Sequence, residues 1–392
     1  AQAREDEQIS PIPSTSGKIM LSSLLALVLT MCTRRAASMG RGIAIVGDYA
    51  YAVAPDRRVR IFDISDPRNP GIAQVPNDQL SEASYIAIEG EYAYTMDSDG
   101  FRVLDISDPT NPSIASHLQL SAGYRHSIAI AGNYAYVVGD VRELTVVNIS
   151  DPTNPGIASQ FEELGGSWDI AVVGDYAYVT AMKSLMVFNI SDPTSPGIAG
   201  SVEYPWFGGY KGRLWGRIAI AGDYAYVAGD TLAVFNISDK RNPREVNYAE
   251  NWLVHAPSIA ILGHYACVTS VLGGSHEFYL LVFNMSDAFR LPRLANIGLI
   301  GLRDSFVVDL AILGDYAYVA GDALTIVDIS DPTEPSIVGS SPTTTTTKTT
   351  ATTTITTNDS SAAQVVTPAA VAILTVVFGV MAGLHGRDGA SP

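Results

Sequence analysis

Cysteine, basic charge and catalytic signatures are all scarce in this chain. It has two cysteines in 392 residues, Cys32 and Cys267. One lies in an N-terminal apolar segment and the other in a predicted strand, so no structural disulfide is expected. A chain of this length buries enough apolar surface without one. Lys and Arg total 24 against 40 Asp and Glu, a formal net charge of −16. Nucleic-acid binding needs a basic footprint, and the balance here is the opposite. There is no long acidic run, so the charge reads as a mildly acidic, solvated surface. The six histidines are scattered without metal-ligand spacing. Neither a Gly-x-Ser-x-Gly elbow nor a phosphate-binding loop occurs. No metal and no cofactor is expected, and no catalytic residue is assigned.

What the chain has in excess is repetition. Seven times it writes Gly, a polar residue, Tyr, Ala and Tyr, with Cys267 as the last residue of one copy. The copies start at Gly47, Gly90, Gly132, Gly174, Gly222, Gly263 and Gly314, and an apolar run ending in Asp/Asn-Ile-Ser-Asp or a close variant follows each. A period of about forty to fifty residues with short strands and turn signals is that of a β-propeller, one sheet per repeat. The predicted fold is all-β: a seven-bladed propeller over residues 42–341 with four-stranded antiparallel blades.

The fourth repeat shows how one phrase makes one blade. Asp169 to Val173 is an apolar inner strand. Gly174-Asp175 is a tight hairpin turn, in which Gly tolerates positive φ and Asp is expected to bond nearby backbone. Tyr176 to Val179 alternates large and small side chains at period two, which puts them on opposite faces. Leu185 to Ile190 is the third strand, and Ser191 to Pro196 is a turn whose prolines stop strand pairing. Gly197 to Ser201 is the outer strand. Since the first repeat opens with an inner strand at Gly42 and the last ends with an outer strand near Gly339, no strand is borrowed across the ends. Ring closure then rests on side-chain packing between blades 1 and 7.

Phrases such as Leu324-Thr325-Ile326-Val327-Asp328, followed by Ile329-Ser330-Asp331-Pro332, resemble the LVIVD repeat. So do Phe101 to Asp105, Leu144 to Asn148 and Leu185 to Asn189. Gly-Asp-Tyr-Ala-Tyr-Val is the other hallmark of that family. The resemblance implies a propeller of surface or secreted prokaryotic proteins and supplies no shared catalytic set. Blade 6 departs most, with His264 for Asp, Cys267 for Tyr, Met285 for Ile and Ala288 for Pro.

Strand order divides the loops between two faces. The Gly-Asp and Ser-Asp-Pro turns share one face and hardly change from blade to blade. Crossovers and second-to-third connections share the other face and vary, which is where function on a rigid scaffold sits. Tyr204 to Trp215 leads into blade 5 and includes Trp206, Phe207, Tyr210, Lys211, Arg213 and Trp215. Such residues either stack on a sugar or a partner peptide or plug the loop onto its own blades. His276 lies in a second insertion, within blade 6, and His126, Trp168, Trp252 and His255 extend the candidate surface. The fifth residue before each hallmark Gly marks the channel mouth: Gly42, Tyr85, Ser127, Asp169, Arg217, Ser258 and Asp309. Asp169 and Asp309 are the one acid pair a hydrolase or lyase could use, and Arg217 could equally neutralise one of them. Asp97-Ser98-Asp99-Gly100 is a fragment of a calcium loop without its later Glu, and reads as a turn.

The flanks carry localisation signals. Residues 1–41 are a polar N-terminus with a signal-peptide-like or anchor segment at 18–32. Residues 342–361 form a threonine-rich stalk with a glycosylation sequon at Asn358. Sequons inside blades, at Asn148, Asn189, Asn236 and Asn284, occupy a position held by Asp in other blades, so capping the following turn is the common role. Val365 to Leu384 is a chargeless apolar run long enough at ~1.5 Å per residue to span a bilayer. Residues 385–392 are a short polar tail. The first expectation is a single-pass, cell-surface recognition or adhesion module for a protein or glycan, with oligomeric state open. The alternatives are a structural envelope or fibre component and a channel-mouth hydrolase or lyase.

Overall fold

The computed structural model describes residues 42–341, except 55, 75–82, 98, 122–124, 140–142, 163, 182–183, 204–215, 230, 250–253, 272–276, 300–308 and 322. The signal-like segment, the stalk with Asn358 and the apolar run at 365–384 lie outside these residues. So does the whole of the second compact unit of the chain, which begins at Thr345. No helix among the described residues is long and apolar enough to cross a membrane.

Twenty-eight strands form seven four-stranded antiparallel sheets, each in simple sequence order. Blade 1 runs Ile43–Val46, Tyr49–Val53, Val59–Asp63 and Gly71–Gln74. Blade 4 runs Ser167–Val173, Tyr176–Ala181, Ser184–Asn189 and Gly197–Glu203. Blade 7 runs Asp309–Leu313, Tyr316–Ala320, Leu324–Asp328 and Ser336–Ser340. The predicted seven-bladed architecture is therefore what the chain adopts. Each first hairpin turns on a glycine in the left-handed region, for example Gly174 at φ 59°. The Asp of that turn acts differently from expectation. Its backbone carbonyl, not its carboxylate, is the acceptor: Ile190 N–H donates to Asp175 O at 2.8 Å. The Ile of each Ile-Ser-Asp phrase is thereby tied back to the first turn of its own blade.

Large-against-small alternation sets the packing. In blade 1, Ala50 faces blade 7 and Tyr51 faces blade 2. Tyr51 joins Val53, Val59 and Ile61 against Ile86, Ile88, Ala93 and Leu104 of blade 2. The same wedge recurs around the ring, so the core is seven inter-blade clusters. Burying each such aromatic contributes about 1.5–3 kcal/mol. Burial also pushes the hydroxyls of Tyr51, Tyr94, Tyr136, Tyr178 and Tyr318 up to about 12. Blade 6 places the smaller Cys267 at this position, in a cluster with Leu280, Val282 and Leu299.

A second device, invisible in the repeat phrase, is a β-bulge between third and outer strands in every blade. In blade 3, Val147 pairs with Ile157 but Val146 pairs with Ser159, leaving Ala158 as the extra residue. The residue after the bulge abuts the turn of the next blade. Ser116 Oγ donates to Pro152 O at 2.7 Å, and Ser159 Oγ donates to Pro193 O at 2.8 Å. At Gly339 a Cβ would stand 2.1 Å from Pro67 O of blade 1. Blade 7 thus docks on blade 1 as every other blade docks on its neighbour, with Tyr318, Leu324 and Ile326 packed on Ile43, Ala50 and Phe62.

Ser-Asp-Pro turns are stitched by carboxylates. Thr153 N–H and Oγ1–H both donate to Asp151 Oδ1, at 3.0 and 2.7 Å. The strand-end residue just before the turn does the same for Ser, whether it is Asp328 or Asn236. This common capping role explains why Asp and Asn interchange there.

Two outcomes follow from this packing. Gly339→Val should destabilise the ring by about 1–3 kcal/mol in denaturant unfolding, through overpacking. Gly156→Ala, where a Cβ meets nothing within 4 Å, should stay within about 0.5 kcal/mol of the parent. The Thr hydroxyls, then the backbone N–H groups, hold the carboxyls of Asp108, Asp151, Asp192 and Asp331 below the ordinary range. A depressed carboxyl pKa stabilises the fold above its unfolded value, about 3.9, and that contribution fades as pH falls through the folded value. Replacing Thr110, Thr153, Thr194 and Thr333 together by Val should therefore raise the four carboxyl pKa values in an NMR titration and move the onset of acid unfolding to higher pH.

Candidate functional site: the channel mouth and the variable face

Inner strands pack side by side around the axis, and their first residues rim the channel on the variable face. Asp169 enters by this route: it opens the hydrophobic stretch of the blade 4 inner strand and is 2% exposed. Its carboxylate is held from both sides. Ser127 of blade 3 donates its hydroxyl to Oδ1 at 2.5 Å, and the Ile218 N–H of blade 5 donates to Oδ2 at 2.8 Å. Arg217 Nη1 lies 3.5 Å from Oδ1. Thr180, paired with Asp169 across the hairpin, accepts the Asp169 N–H at 3.0 Å and donates to Gly216 O at 3.0 Å. One carboxylate therefore bridges three blades.

Asp309 of blade 7, fully buried, is tied to its neighbouring blade through Oδ1. Ser258 of blade 6 donates its hydroxyl to Asp309 Oδ1 and accepts the Leu310 N–H of blade 7 at 3.1 Å. The residue five before the hallmark Gly thus accepts the N–H of the following residue in the next blade, at Asp169 and at Ser258 alike. Of the two carboxylates considered as an acid pair, Asp169 accepts inter-blade hydrogen bonds at both oxygens and Asp309 accepts one at Oδ1.

Arg217 connects the two sides. Its guanidinium lies 4.7 Å from the ring centre of Tyr85, which precedes the inner strand of blade 2. An arginine of blade 5 on a tyrosine of blade 2 reaches across the channel. Burial by itself would lower the Arg217 pKa, but Tyr85, Asp169 and Asp309 outweigh it and hold the group above its ordinary value. The guanidinium stays charged, over the Tyr85 ring and beside Asp169. Sequence reading placed Tyr85, Ser127, Asp169, Arg217, Ser258 and Asp309 at the mouth and gave neutralisation of one acid by Arg217 as the alternative to an acid pair; it did not name Thr180, Ile218 or Leu310. It missed the contact with Tyr85: seven blades in order place blade 2 across from blades 5 and 6, but that these two side chains meet over the axis shows only in the folded ring.

Other sequence-assigned residues fall as follows. Trp168 is half-buried beside Asp169 on the blade 4 inner strand. The side chains of His126 and His255 lie outside the described residues, though their backbones belong to the inner strands Arg125–Ala131 and Val254–Leu262. Trp206, Phe207, Tyr210, Lys211, Arg213, Trp215, Trp252 and His276 lie outside the described residues altogether. The Asp97 segment forms a turn: its carboxylate accepts the N–H groups of Asp99 and Gly100 at 2.8 and 2.7 Å. Arg102 at 2.5 Å and His117 at 3.5 Å hold its other oxygen, a set that ties the turn to the third and outer strands of blade 2. Removing the charge at the mouth should cost stability. Asp169→Asn keeps an acceptor for Ile218 but loses charge-assisted bonds, and should destabilise by about 1.5–3 kcal/mol. Asp169→Ala, which strands Arg217, should cost about 3–5 kcal/mol in the same unfolding measurement.

Comparisons with known proteins agree with this architecture. A Lactobacillus plantarum protein superposes with TM-score 0.58 at 13% identity, covering 77% of this chain and 94% of that one. A Bacteroides uniformis protein provisionally named a 6-phosphogluconolactonase gives 0.56 at 13% identity, over 76% and 94%. A computationally designed protein, Ika8, gives 0.54 at 12% identity, over 78% and 87%. At these identities the likeness is one of fold alone. No curated protein sequence matches the chain. The LVIVD repeat model matches six segments, residues 38–75, 81–119, 122–162, 164–203, 213–249 and 307–343. Blade 6, the copy with Cys267 and Met285, falls between the fifth and sixth matches. These six matches span more than half of the sequence, and the chain belongs to the LVIVD-repeat family.

Proposed function

We propose that this protein is a cell-surface recognition module that presents its variable face to a protein or glycan. The observation that carries this reading is the asymmetry between the two faces. On the turn face, carboxylate and hydroxyl groups in blade after blade are engaged in stitching the same turns. On the opposite face the connections differ in length and sequence, and the longest carries five aromatics and two cations between Tyr204 and Trp215. A rigid disc with one monotonous and one diversified face is the arrangement of a scaffold that displays loops. The mouth supports recognition over hydrolase or lyase chemistry, since both oxygens of Asp169 already accept hydrogen bonds from neighbouring blades.

Display at the surface rests on the flanks. The apolar segment at 18–32 serves export, the threonine-rich stretch from 342 to 361 acts as a spacer, and the chargeless run at 365–384 anchors the chain. Binding of the chain to surface-glycan arrays and to isolated cell envelopes tests the reading. Trp206→Ala combined with Trp215→Ala should weaken binding at least about tenfold, the loss expected for buried aromatic anchors, without lowering thermal stability. Binding that is unchanged in this variant would remove the site assignment. Recovery of the chain in a soluble cytosolic fraction would remove the surface reading.

A further inference from the structure

Four consecutive blades, 3 to 6, end their third strand in a glycosylation sequon. The sequons are Asn148-Ile149-Ser150, Asn189-Ile190-Ser191, Asn236-Ile237-Ser238 and Asn284-Met285-Ser286. Blades 7, 1 and 2 end theirs in Asp328, Asp63 and Asp105. Capping of the following turn lets either residue serve, and it favours the carboxylate. The hydroxyls and then the N–H groups of Ser65, Ser107 and Ser330 hold Asp63, Asp105 and Asp328 below the ordinary carboxyl range. That is the mark of a charge-assisted bond, which a neutral amide oxygen does not match. Charge repulsion does not call for the amide either. Blades 1, 2 and 7 tolerate a second carboxylate in the same turn, at Asp66, Asp108 and Asp331. The cap therefore gives no reason for asparagine in four adjacent blades.

What asparagine adds is its amide nitrogen. The N–H groups of Ser150, Ser191, Ser238 and Ser286 donate to Oδ1 of the Asn two residues earlier, at 2.9, 2.9, 3.0 and 2.8 Å. In blade 5 the Ser238 hydroxyl donates to the same oxygen at 2.7 Å. These bonds occupy Oδ1 and leave Nδ2 out. Asn189 is exposed and the other three are half-buried. On the second strand Asn148, Asn189, Asn236 and Asn284 pair with Tyr134, Tyr176, Tyr224 and Tyr265, all half-buried. On the outer strand Asn148 and Asn189 pair with Gly156 and Gly197, where an added Cβ would meet nothing within 4 Å. Exposed apolar residues adjoin these sites. Ile157 and Ile198 follow the two glycines, and Phe289 stands in the turn after Asn284. Ile114 of blade 2 is the exposed isoleucine outside this arc.

We infer that Asn148, Asn189, Asn236 and Asn284 are N-glycan attachment sites, and that glycans cover the turn face over blades 3 to 6. The donor is an oligosaccharide carried on a lipid phosphate, and a separate transferase catalyses the step. Nδ2 bonds to C1 of the first sugar while the C1–O bond to phosphate breaks. The lipid phosphate leaves with the electron pair, and one Nδ2 proton passes to a base of the transferase. Nothing is oxidised or reduced. The product amide keeps Oδ1, so the cap on the turn survives the modification. The first sugar lies against the paired Tyr, and the glycan screens Ile157, Ile198 and Phe289 from contact with other proteins. The variable face stays uncovered. Transfer from a lipid-borne donor takes place on the outer side of a membrane, so the inference rests on the surface reading.

Mass spectrometry of peptides from the full chain, purified from its own cells in neutral detergent, tests this. Glycan is expected on all four asparagines. Ser150→Ala, Ser191→Ala, Ser238→Ala and Ser286→Ala each keep the backbone N–H that caps the turn, and each should lose the glycan of its own site alone. The corresponding Ser→Thr variants should keep it. Asn189→Asp, which installs the cap of blades 1, 2 and 7, should lose the glycan with the ring still folded. Four unmodified asparagines overturn the inference, and so does a glycan that persists in the Ser→Ala variants. Protease added to intact cells separates this result from the surface reading. A chain that is cleaved from outside yet unmodified at the four sites refutes the inference alone, whereas a chain that is protected and unmodified removes both.

Discussion

Everything in this molecule depends on the contact between a large side chain and a small one across neighbouring sheets. The last residue of each hallmark phrase, Tyr in six blades and Cys267 in blade 6, leans on the Ala-bearing face of the next blade, as Tyr51 does on Ala93 and Tyr178 on Ala225. A strand forces successive side chains to opposite faces, so Ala-Tyr is enough to give a sheet one thin and one thick side. Seven such wedges close a ring. The last wedge, blade 7 on blade 1, has no shared strand to hold it and uses the same side-chain contact, reinforced by the carbonyl of Pro67 against Gly339.

Polar groups are arranged as extensions of this packing. At the channel mouth Asp169 and Ser258 each accept an N–H from the next blade, and Arg217 spans the gap to Tyr85. Buried charge of this kind adds little net stability but makes wrong blade neighbours costly, since an unpaired carboxylate in that position would be left without partners. On the opposite face the turn carboxylates are tied up in local hydrogen bonds. The scaffold thereby leaves its diversity to the loops between Tyr204 and Trp215 and within blade 6.

Much of this was legible from residues alone. Seven Gly-x-Tyr-Ala-Tyr or near copies fix blade number, strand order and the assignment of loops to faces, because each rests on local geometry that repeats. The acceptor role of Asp169 was not legible. An Asp at a channel mouth looks the same in sequence whether or not it grips its neighbours, and only the position of Ser127 and Ile218 shows the grip. The bulge was hidden for a similar reason: Gly-Ile-Ala reads as an ordinary strand start, and the extra residue at Ala158 shows only in the pairing register. Asp175 carried a misleading cue, since its type suggested a side-chain bond while its backbone carbonyl makes the contact.

A ring held by seven such wedges, six built on Tyr and one on Cys267, should behave as one cooperative unit, since opening any wedge exposes both of its neighbours. Native-state hydrogen exchange on Tyr318→Ala, which thins the wedge between blades 7 and 1, tests this most directly. Amides of the second and third strands in blade 4, on the other side of the ring, should lose protection by the same free energy as those of blades 7 and 1. If blade 4 keeps its full protection while blades 7 and 1 exchange, the seven-wedge ring is not a closed cooperative structure, and the account fails at its foundation.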